Sequence, residues 1–454
     1  IMPHHVRHRA DDARTAFSIL CAAEDEPGGT ALRFPDGSAW TFAELAARVE
    51  DCLKTLPRPE PGRPLPHLAK TTPESLVTLY AALEAGIPLM LLHPALTQTE
   101  LGDLLAKAEA VRSPLPDEAA VVVFTSGTSG RPKPAVLTRQ ALLASALSSA
   151  ANLPLGRGDL WQMPISPARI GGFSVLTRSL LARSAVSVAG KFDPKGFLDR
   201  IGEEGVSLTS VVPTMLVRIL EADPGAPVPA CLRAMLVGGA SASPTLLQKA
   251  RGRGIPVVTT YGMTETASNV AVTPFAERFH AVGSGRPNRD AEIRVVDGRI
   301  LVRGPMRMSG YWGEKPLDPD DWFDTGDLGR FDEDGNLHVE ARRSDLILSG
   351  GMNVAPVEVE AALESLPGVR QALVLGMTDP VWGEVVTALL VAEAGPLPDD
   401  AVVEGLKPIL ASHKSPRRIA WVDALPTKPG GKPDRSESVL AGLELRTLHY
   451  TAHH

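Results

Sequence analysis

The chain has 454 residues, of which 44% are hydrophobic and 22% charged, so it can bury a large core and is too long for one compact domain. Its 46 Lys and Arg residues are outnumbered by 53 Asp and Glu residues, which gives a net charge of −7. The sequence has no dense basic run, and this excludes the charge pattern of a nucleic-acid-binding protein. The three cysteines are widely spaced, which argues against a disulfide framework or a zinc site and leads us to expect a cytosolic protein.

The sequence predicts neither a membrane span nor a secretion signal. The most apolar stretch, residues 79–96, is interrupted by a glutamate, a histidine and two prolines. Residues 1–12 lack the apolar core of a signal peptide. We therefore expect no membrane-spanning segment.

Between about residues 41 and 280, helical segments alternate with short apolar runs. These runs are residues 121–124, 185–189, 208–212, 234–237 and 255–259. Such alternation is typical of parallel strands covered by helices. Between residues 291 and 340 the pattern changes to short alternating strands, and Asp334-Gly335-Asn336 predicts a hairpin turn between two of them.

The chain after Gly351 mixes helices and strands. Pro356 predicts the first turn of a helix. Strands are predicted near 372–376, 385–391 and 418–422, and a helix near 399–413. The sequence thus predicts an α/β fold with a large N-terminal domain of parallel sheets covered by helices, a β-rich subdomain and a small α+β C-terminal domain.

Residues 121–133, VVVFTSGTSGRPK, carry the most informative pattern. A β-branched strand is followed by two glycines, the hydroxyls of Thr125, Ser126, Thr128 and Ser129, and the cations Arg131 and Lys133. Glycine lets backbone N–H groups approach phosphate oxygens, while hydroxyls and cations add donors and positive charge. The pattern predicts a phosphate-binding loop, although not a Walker A loop, in which glycine precedes the lysine. A Ser/Gly-rich surface turn is the structural alternative.

Three further segments complete a set of four motifs. They are YGMTETAS at residues 261–268, a run at residues 322–360 that contains TGDLG and RRSDLILSGGMNVAPVEVE, and PTKPGGKPDR at residues 426–435. In this order the four resemble the motifs of the adenylate-forming superfamily, which includes acyl-CoA synthetases, adenylation domains and luciferases. The resemblance covers the chain from about residue 41. It implies an enzyme, an AMP-forming acid–thiol ligase that uses ATP, Mg²⁺ and coenzyme A.

The resemblance also implies how the chain is divided. Residues 1–343 would form the domain that binds ATP and the acyl substrate, and residues 344–454 a mobile domain that carries the catalytic Lys432. Arg343-Ser344-Asp345 corresponds to the hinge between them. Rotation about this hinge would remove Lys432 once the acyl-adenylate has formed and bring the Gly350-Gly351 strand to the acyl site for attack by coenzyme A.

The second and third motifs supply the predicted nucleotide contacts. An aromatic ring (Tyr261) can stack on adenine, a hydroxyl (Thr264) can bind phosphate or carboxylate oxygen, and a carboxylate (Glu265) can hold Mg²⁺. Asp327 would accept hydrogen bonds from the ribose hydroxyls, and Arg342 would add a charged donor. The structural alternatives are a helix N-cap at Thr264, a surface aspartate and an ordinary salt-bridging arginine. The family match at these spacings favours the functional assignment.

Further site residues follow from the same match. Lys133 and Lys432 would stabilise the charge that develops when a carboxylate attacks the α-phosphate, although a solvated loop is the usual environment of lysine. Thr264 and Glu265 complete the predicted catalytic set, with Glu265 as the metal ligand. The predicted nucleotide-binding residues also include Thr125, Ser126, Gly127, Thr128, Gly238, Gly239 and Ala240.

Within the superfamily, three stretches resemble the o-succinylbenzoate:CoA ligases of menaquinone synthesis. They are residues 171–182, 236–247 and 342–360. This resemblance implies an aryl carboxylic acid as substrate, with Arg169, Gly171 and Gly172 beside it. Arg169 stands where relatives place a histidine. Its guanidinium would either pair with a second substrate carboxylate or face solvent or the phosphates of coenzyme A.

Alternatives stay open on the sequence alone. A stand-alone adenylation enzyme would load an aryl or amino acid onto a carrier protein rather than coenzyme A. A degenerate relative would bind nucleotide as a scaffold, which the presence of Lys432, Glu265 and Asp327 disfavours. The expected partners are a small-molecule carboxylic acid and coenzyme A, without nucleic acid, and a monomer and a homodimer are both open.

Overall fold

The computed structural model describes residues 13–125, 132–342, 345–349, 352–379, 382–411, 414–428 and 432–450. Five predicted site residues lie outside these ranges, namely Ser126, Gly127, Thr128, Gly350 and Gly351. The predicted hinge residues Arg343 and Ser344 lie outside them as well.

Several helices begin at polar residues that cap the first turn. The Thr41 side chain accepts a hydrogen bond from the backbone N–H of Glu44, whose carboxylate bonds back to the Thr41 N–H. Thr97 and Glu100 form the same capping box. The α-helices are α1 (Ala13–Ala16), α2 (Ile19–Asp25), α3 (Phe42–Leu53), α4 (Pro73–Ala85), α5 (Gln98–Ala110), α6 (Arg139–Asn152), α7 (Ile170–Ala182), α8 (Phe197–Glu204), α9 (Pro213–Ala222), α10 (Pro244–Gly252), α11 (Pro356–Glu364) and α12 (Asp399–Leu406).

The strands are distributed along the whole chain. In order they are β1 (Thr30–Arg33), β2 (Ala39–Thr41), β3 (Leu65–Leu68), β4 (Leu89–Leu92), β5 (Ala119–Thr125), β6 (Lys133–Thr138), β7 (Leu160–Met163), β8 (Ala185–Val188), β9 (Leu208–Val211), β10 (Ala234–Val237), β11 (Val257–Met263), β12 (Ser268–Val272), β13 (Arg286–Pro287), β14 (Glu292–Val296), β15 (Arg299–Arg303), β16 (Gly310–Tyr311), β17 (Phe323–Phe331), β18 (Leu337–Arg342), β19 (Ile347–Ser349), β20 (Met352–Val354), β21 (Val369–Asp379), β22 (Gly383–Ala392), β23 (Arg418–Trp421) and β24 (Arg446–Thr447).

Two sheets form the core of the N-terminal part. The larger has the order β13-β12-β11-β10-β9-β7-β8-β1-β2, and its strands from β11 to β1 pair in parallel. The smaller has the order β16-β6-β5-β4-β3. Strands β4, β7, β9 and β10 are buried along their whole length, as expected of parallel strands with helices on both faces. The predicted α/β class is confirmed.

The strand predicted at residues 255–259 extends further along the chain, as β11. Tyr261 therefore lies within the strand and not in the following loop. The reason is tertiary, because β12 turns back and pairs antiparallel with β11 from Thr260 to Met263. Since the carboxyl ends of parallel strands meet at one edge of a sheet, Gly238 after β10 and the end of β11 come to the same edge.

A third sheet, of order β14-β15-β17-β18, forms the β-rich part that the sequence predicts. Its strands pair antiparallel throughout. The turn predicted at residues 334–336 lies between β17 and β18, as expected. Tyr261 shares a buried apolar cluster with Ile300 and Leu337 of this sheet. This packing brings β17, which carries Asp327, beside β11.

The C-terminal part is built on a fourth sheet. Its order is β20-β19-β22-β23-β24, with β21 paired to β22, and a core around Val359, Leu363 and Val402 joins the sheet to α11 and α12. The helix predicted over residues 399–413 is too long, since α12 ends at Leu406. Pro408 lacks the N–H that a continuing helix needs. The division at residues 343 and 344 stays a prediction, as does the mobility of this part.

Two ion pairs of partly or fully exposed side chains join the C-terminal part to the rest of the chain. Arg370 Nε lies 3.4 Å from Glu221 Oε1, and Lys249 Nζ lies 3.9 Å from Glu393 Oε1. Ion pairs of this kind contribute little to stability because water competes for both partners. Each of these two ion pairs therefore contributes little to the contact between the two parts.

Candidate active site

Tyr261 and Asp327 bring the second and third motifs into contact. Tyr261 Oη donates a hydrogen bond of 2.8 Å to Asp327 Oδ2. Both residues are buried, with exposed fractions of 8% and 6%. The Asp327 N–H donates to Thr325 Oγ1, which itself donates to the Ile300 carbonyl. The Asp327 backbone is thus held by Thr325 of its own strand, and its carboxylate by Tyr261 of β11.

Arg342 lies opposite Asp327 in the hairpin of β17 and β18. The two residues are register partners across the strands. The backbone therefore brings together the two residues that the family match assigns to the ribose. The Tyr261 ring packs in the apolar cluster with the third sheet, and its stacking on adenine stays a prediction.

Glu265 lies in a 3₁₀ turn, Thr264–Thr266, that directly follows β11. Thr264 is the first residue of this turn and Met263 its cap, so the helix N-cap at Thr264 is not formed. Glu265 is 8% exposed, and its Oε1 accepts a hydrogen bond of 2.9 Å from Tyr311 Oη. The carboxylate is therefore buried and oriented from β16.

Lys133 reaches the same tyrosine from the other side. Its Nζ lies 4.7 Å from the centroid of the Tyr311 ring and 2.9 Å from Glu314 Oε1. Thr125, at the end of β5, pairs with Lys133 across the ladder. The buried Thr125 Oγ1 has no hydrogen-bond partner among the described residues. A buried hydroxyl of this kind at the start of the phosphate loop fits an oxygen-rich ligand such as ATP.

The turn after β10 requires glycine at two positions. A Cβ on Gly238 would lie 2.1 Å from Thr260 Oγ1, and Gly239 has a φ of +80°. The backbone consequently runs close along β11, and Ala240 follows in the same turn. A surface without side chains here fits the flat ligand that the sequence predicts.

Arg169 is the N-cap residue of α7, the helix that carries the predicted acyl-site glycines. A Cβ on Gly172 would lie 2.3 Å from the Ser166 carbonyl oxygen, so close packing against the backbone requires glycine at this position. Gly171 has open space around it.

Burial lowers the pKa of Arg169. Burial and the nearby charge of Arg169 lower the pKa of His93, which follows β4. His93 and Arg169 are thus neighbours, and His93 is neutral near pH 7.

Lys432 lies in a hairpin of the C-terminal part. The Lys428 N–H donates a hydrogen bond of 2.8 Å to the Lys432 carbonyl, and Thr427 and Pro433 form a β-bridge. Lys432 itself is exposed. The fold thus presents this lysine at the surface of the C-terminal part, and its approach to the nucleotide motifs stays a prediction.

Two side chains near the predicted residues were not found from the sequence. Tyr311 contacts Glu265, but it lies in a strand of two residues, which gives no periodic signal. Arg178, in α7, is 5% exposed and donates to the neutral side chains of Ser145 and Asn269. Burial lowers the pKa of Arg178 to about 10. The available signal in the sequence was a lone cation in an otherwise uncharged helix.

The described residues contain no group of three or more His, Cys, Asp or Glu side chains that could hold a metal ion. Mg²⁺ keeps several water ligands and is usually bound by one or two carboxylates together with substrate phosphates. The buried carboxylate of Glu265, oriented by Tyr311, fits this mode of binding.

Two family models match the chain. The AMP-binding enzyme model matches residues 108–312, which include the phosphate loop, the turn after β10 and Glu265. The model of the AMP-binding enzyme C-terminal domain matches residues 358–432, which end at Lys432.

Curated relatives of this chain include 2-succinylbenzoate–CoA ligases. The protein of Bacillus licheniformis is 39% identical over 334 residues, which cover 70% of this chain and 69% of the relative. The protein of Bacillus cereus is 32% identical over 460 residues, which cover 90% of this chain and 95% of the relative.

Solved structures agree with these matches. The o-succinylbenzoate CoA synthetase of Bacillus subtilis with its acyl-adenylate intermediate superposes with a TM-score of 0.79 at 28% identity, covering 95% of this chain and 99% of that one. Its complex with ATP and a magnesium ion gives a TM-score of 0.77 at 28% identity, covering 92% and 98%. These matches confirm the resemblance to adenylate-forming enzymes, and the chain belongs to the AMP-binding enzyme family.

Proposed function

We propose that this chain is an ATP-dependent acid:CoA ligase, which converts a carboxylic acid first to an acyl-adenylate and then to an acyl-CoA. The substrate that we propose is an aryl acid of the o-succinylbenzoate type. The observation that carries the proposal is the similarity to 2-succinylbenzoate–CoA ligases, which extends over 90% of the chain and thus beyond the nucleotide-binding part.

In the first step a carboxylate oxygen of the substrate attacks the α-phosphorus of ATP, and pyrophosphate leaves. Asp327 would accept hydrogen bonds from the ribose hydroxyls, and the Gly238-Gly239 turn would lie along the adenine. Thr125 and Lys133 would bind phosphate oxygens. The main task of these groups is to hold two anions at reacting distance, which their fixed positions and positive charge achieve.

The remaining predicted residues act at the reacting oxygens. Bound Mg²⁺ supplies charge neutralisation on the phosphates, and Glu265 would hold it. Thr264 would donate to a phosphate or carboxylate oxygen, and Lys432 to the oxygens between carboxylate and α-phosphate. In the second step the thiolate of coenzyme A attacks the acyl carbon and AMP leaves, and Gly350 and Gly351 would take the place of Lys432 at the acyl site.

Exchange of pyrophosphate into ATP, measured across a panel of carboxylic acids, tests the first step, and thioester formation with coenzyme A tests the second. We expect both with o-succinylbenzoate, and less of both with benzoate. Exchange followed by transfer to a carrier protein in place of coenzyme A would favour a carrier-loading enzyme. No exchange with any acid would contradict the proposal.

We also infer a cytoplasmic location from the use of cysteine. Cys21, Cys52 and Cys231 are free thiols, as expected in a reducing compartment. Within the described ranges, no helix has the length and apolar character needed to cross a membrane. A homodimer stays a prediction, which sedimentation of the purified chain at micromolar concentration would test.

A further inference from the structure

Arg435 and Glu360 form a mostly buried ion pair beside the Lys432 hairpin. Arg435 Nη2 lies 2.6 Å from Glu360 Oε1 and 2.7 Å from Oε2. The two side chains are 19% and 13% exposed. Burial raises the pKa of Glu360, and the charge of Arg435 opposes that rise. Because either charge would be costly to bury alone, each side chain holds the other in place.

The pair is also bonded to the core of the C-terminal part. Arg435 Nε donates a hydrogen bond of 3.1 Å to the Val374 carbonyl, and the Val374 N–H donates one of 2.7 Å to Glu360 Oε1. Val374 is a buried residue of β21, and Glu360 belongs to α11, whose Val359 and Leu363 are buried in the same core. Arg435 is thus fixed to a strand and a helix at once.

Lys432 lies only three residues before this anchor. An extended chain advances about 3.3–3.6 Å per residue, so the Cα atoms of Lys432 and Arg435 are at most about 11 Å apart. The Lys428 N–H donates to the Lys432 carbonyl, and the Asp434 N–H donates to the Pro426 carbonyl. These bonds join the two arms of the hairpin, so a displacement of Arg435 also displaces the backbone of Lys432.

We propose that Arg435, held by Glu360, is a positioning residue for adenylate formation, because it fixes the base of the hairpin from which Lys432 extends. The inference rests on the proposed function, which gives Lys432 a task in the first half-reaction only. If the pair merely stabilised the C-terminal part, its loss would affect both half-reactions alike.

The test uses the full-length chain with Arg435→Lys, which keeps a cation beside Glu360 but cannot contact both carboxylate oxygens and the Val374 carbonyl in the same geometry. Since a displacement of about 1 Å can cost about 10²-fold, we expect adenylate formation to fall about 10- to 100-fold. Thioester formation from supplied acyl-adenylate should be unchanged.

A matched control and a second variant keep the test independent of folding. Arg446→Lys alters another ion pair of the same sheet, in which Arg446 Nη2 lies 2.8 Å from Asp399 Oδ1, and should change neither half-reaction. The double variant Glu360→Gln/Arg435→Gln removes both charges without leaving one unpaired. It should reproduce the selective loss of adenylate formation.

Two further measurements separate positioning from general stability. In a Lys432→Ala background, Arg435→Lys should cause no additional loss of adenylate formation, because the group that it positions is absent. In the ligand-free protein, amide hydrogen exchange over residues 426–435 should become about 10-fold faster in Arg435→Lys and stay unchanged in Arg446→Lys.

Equal losses in both half-reactions, an additive loss on top of Lys432→Ala, or unchanged hydrogen exchange would each overturn the positioning role. A wild-type chain that forms no adenylate would overturn the proposed function itself. An active wild-type chain whose Arg435→Lys variant behaves like the Arg446→Lys control would instead overturn only the positioning role.

Discussion

The hydroxyl of Tyr261 donates a hydrogen bond of 2.8 Å to the carboxylate of Asp327, across 66 residues of sequence. The contact forms where the third sheet packs on β11, and Arg342 lies opposite Asp327 in register. Because Tyr261 and the backbone of β17 both fix Asp327, its carboxylate is oriented before any ligand arrives. Such preorganisation would lower the entropic cost of binding the ribose that we propose for this site.

We expect Asp327→Ala to weaken ATP binding by about 10²-fold or more, because two hydrogen bonds to a charged acceptor contribute about 1.5–3 kcal/mol each. Tyr261→Phe removes one hydrogen bond and keeps the ring, so a loss of about 3- to 10-fold is expected. Isothermal titration with ATP measures both. Glu292→Ala, at an exposed position of the same sheet, is the control and should bind ATP normally. Unchanged affinity in Asp327→Ala would refute the ribose assignment.

Glu265→Gln should raise the Mg²⁺ concentration needed for half-maximal adenylate formation by about 10-fold, since a neutral amide replaces a charged oxygen ligand. Tyr311→Phe should shift the Mg²⁺ requirement in the same direction but less, because the carboxylate remains and loses only its 2.9 Å hydrogen bond. Pyrophosphate release measured against Mg²⁺ concentration at saturating ATP gives both values.

Glu314→Gln is the matched control for the metal assignment. It removes a neighbouring negative charge and breaks the 2.9 Å pair with Lys133, which would free the lysine for phosphate. We expect the KM for ATP to fall or stay constant and the Mg²⁺ requirement to stay unchanged. A shift in Mg²⁺ requirement as large as that of Glu265→Gln would mean that net charge, and not ligation, determines the effect.

Lys432→Ala should reduce adenylate formation to a small residual rate and leave thioester formation from a supplied acyl-adenylate largely intact. One preorganised charge on a developing anion is worth about 3–4 kcal/mol, or about 10²–10³ in rate. Lys428→Ala, on the other arm of the same hairpin, is the control and should retain both activities. Rapid-quench measurement of each half-reaction decides the matter, and equal losses in both would contradict a role confined to the first.

Local sequence patterns predicted most of the fold. The apolar run at residues 234–237 is β10 without change, because a fully buried parallel strand is apolar throughout. The hairpin turn at residues 334–336 likewise fixed the pairing of β17 with β18, and with it the approach of Arg342 to Asp327. Sequence patterns were therefore sufficient to predict contacts between residues that belong to the same hairpin.

Contacts between distant segments could not be predicted in this way. Tyr311 bonds to a carboxylate 46 residues away, and Arg435 to one 75 residues away, so neither partner follows from local periodicity. The extension of β11 through Tyr261 depends on its pairing with β12. These features arise from tertiary packing, which overrides what a short window of sequence indicates.

Arg169 offers a test of the acyl substrate. It occupies the N-cap position of α7 at the predicted acyl site, and its neighbour His93 has a lowered pKa, so Arg169 is the cation of this pair near pH 7. A guanidinium can pair with a carboxylate through two parallel hydrogen bonds, which would select acids that carry a second carboxylate. The alternative is that Arg169 faces solvent or the phosphates of coenzyme A.

Arg169→Leu should lower kcat/KM for a dicarboxylic aryl acid by about 10- to 100-fold, equivalent to roughly 1.5–3 kcal/mol for a charged hydrogen bond, and spare simple benzoates. Arg169→Lys keeps the charge without the planar fork and should fall between wild type and Arg169→Leu. His93→Gln, which removes the neighbouring ring and not the cation, should leave the preference for the diacid in place.

Steady-state rates with o-succinylbenzoate and benzoate, each measured at varied concentrations of coenzyme A, separate the two alternatives for Arg169. If Arg169→Leu impairs only the use of coenzyme A, or slows all acids equally, the second-carboxylate assignment is wrong and the substrate is to be sought among monocarboxylic acids.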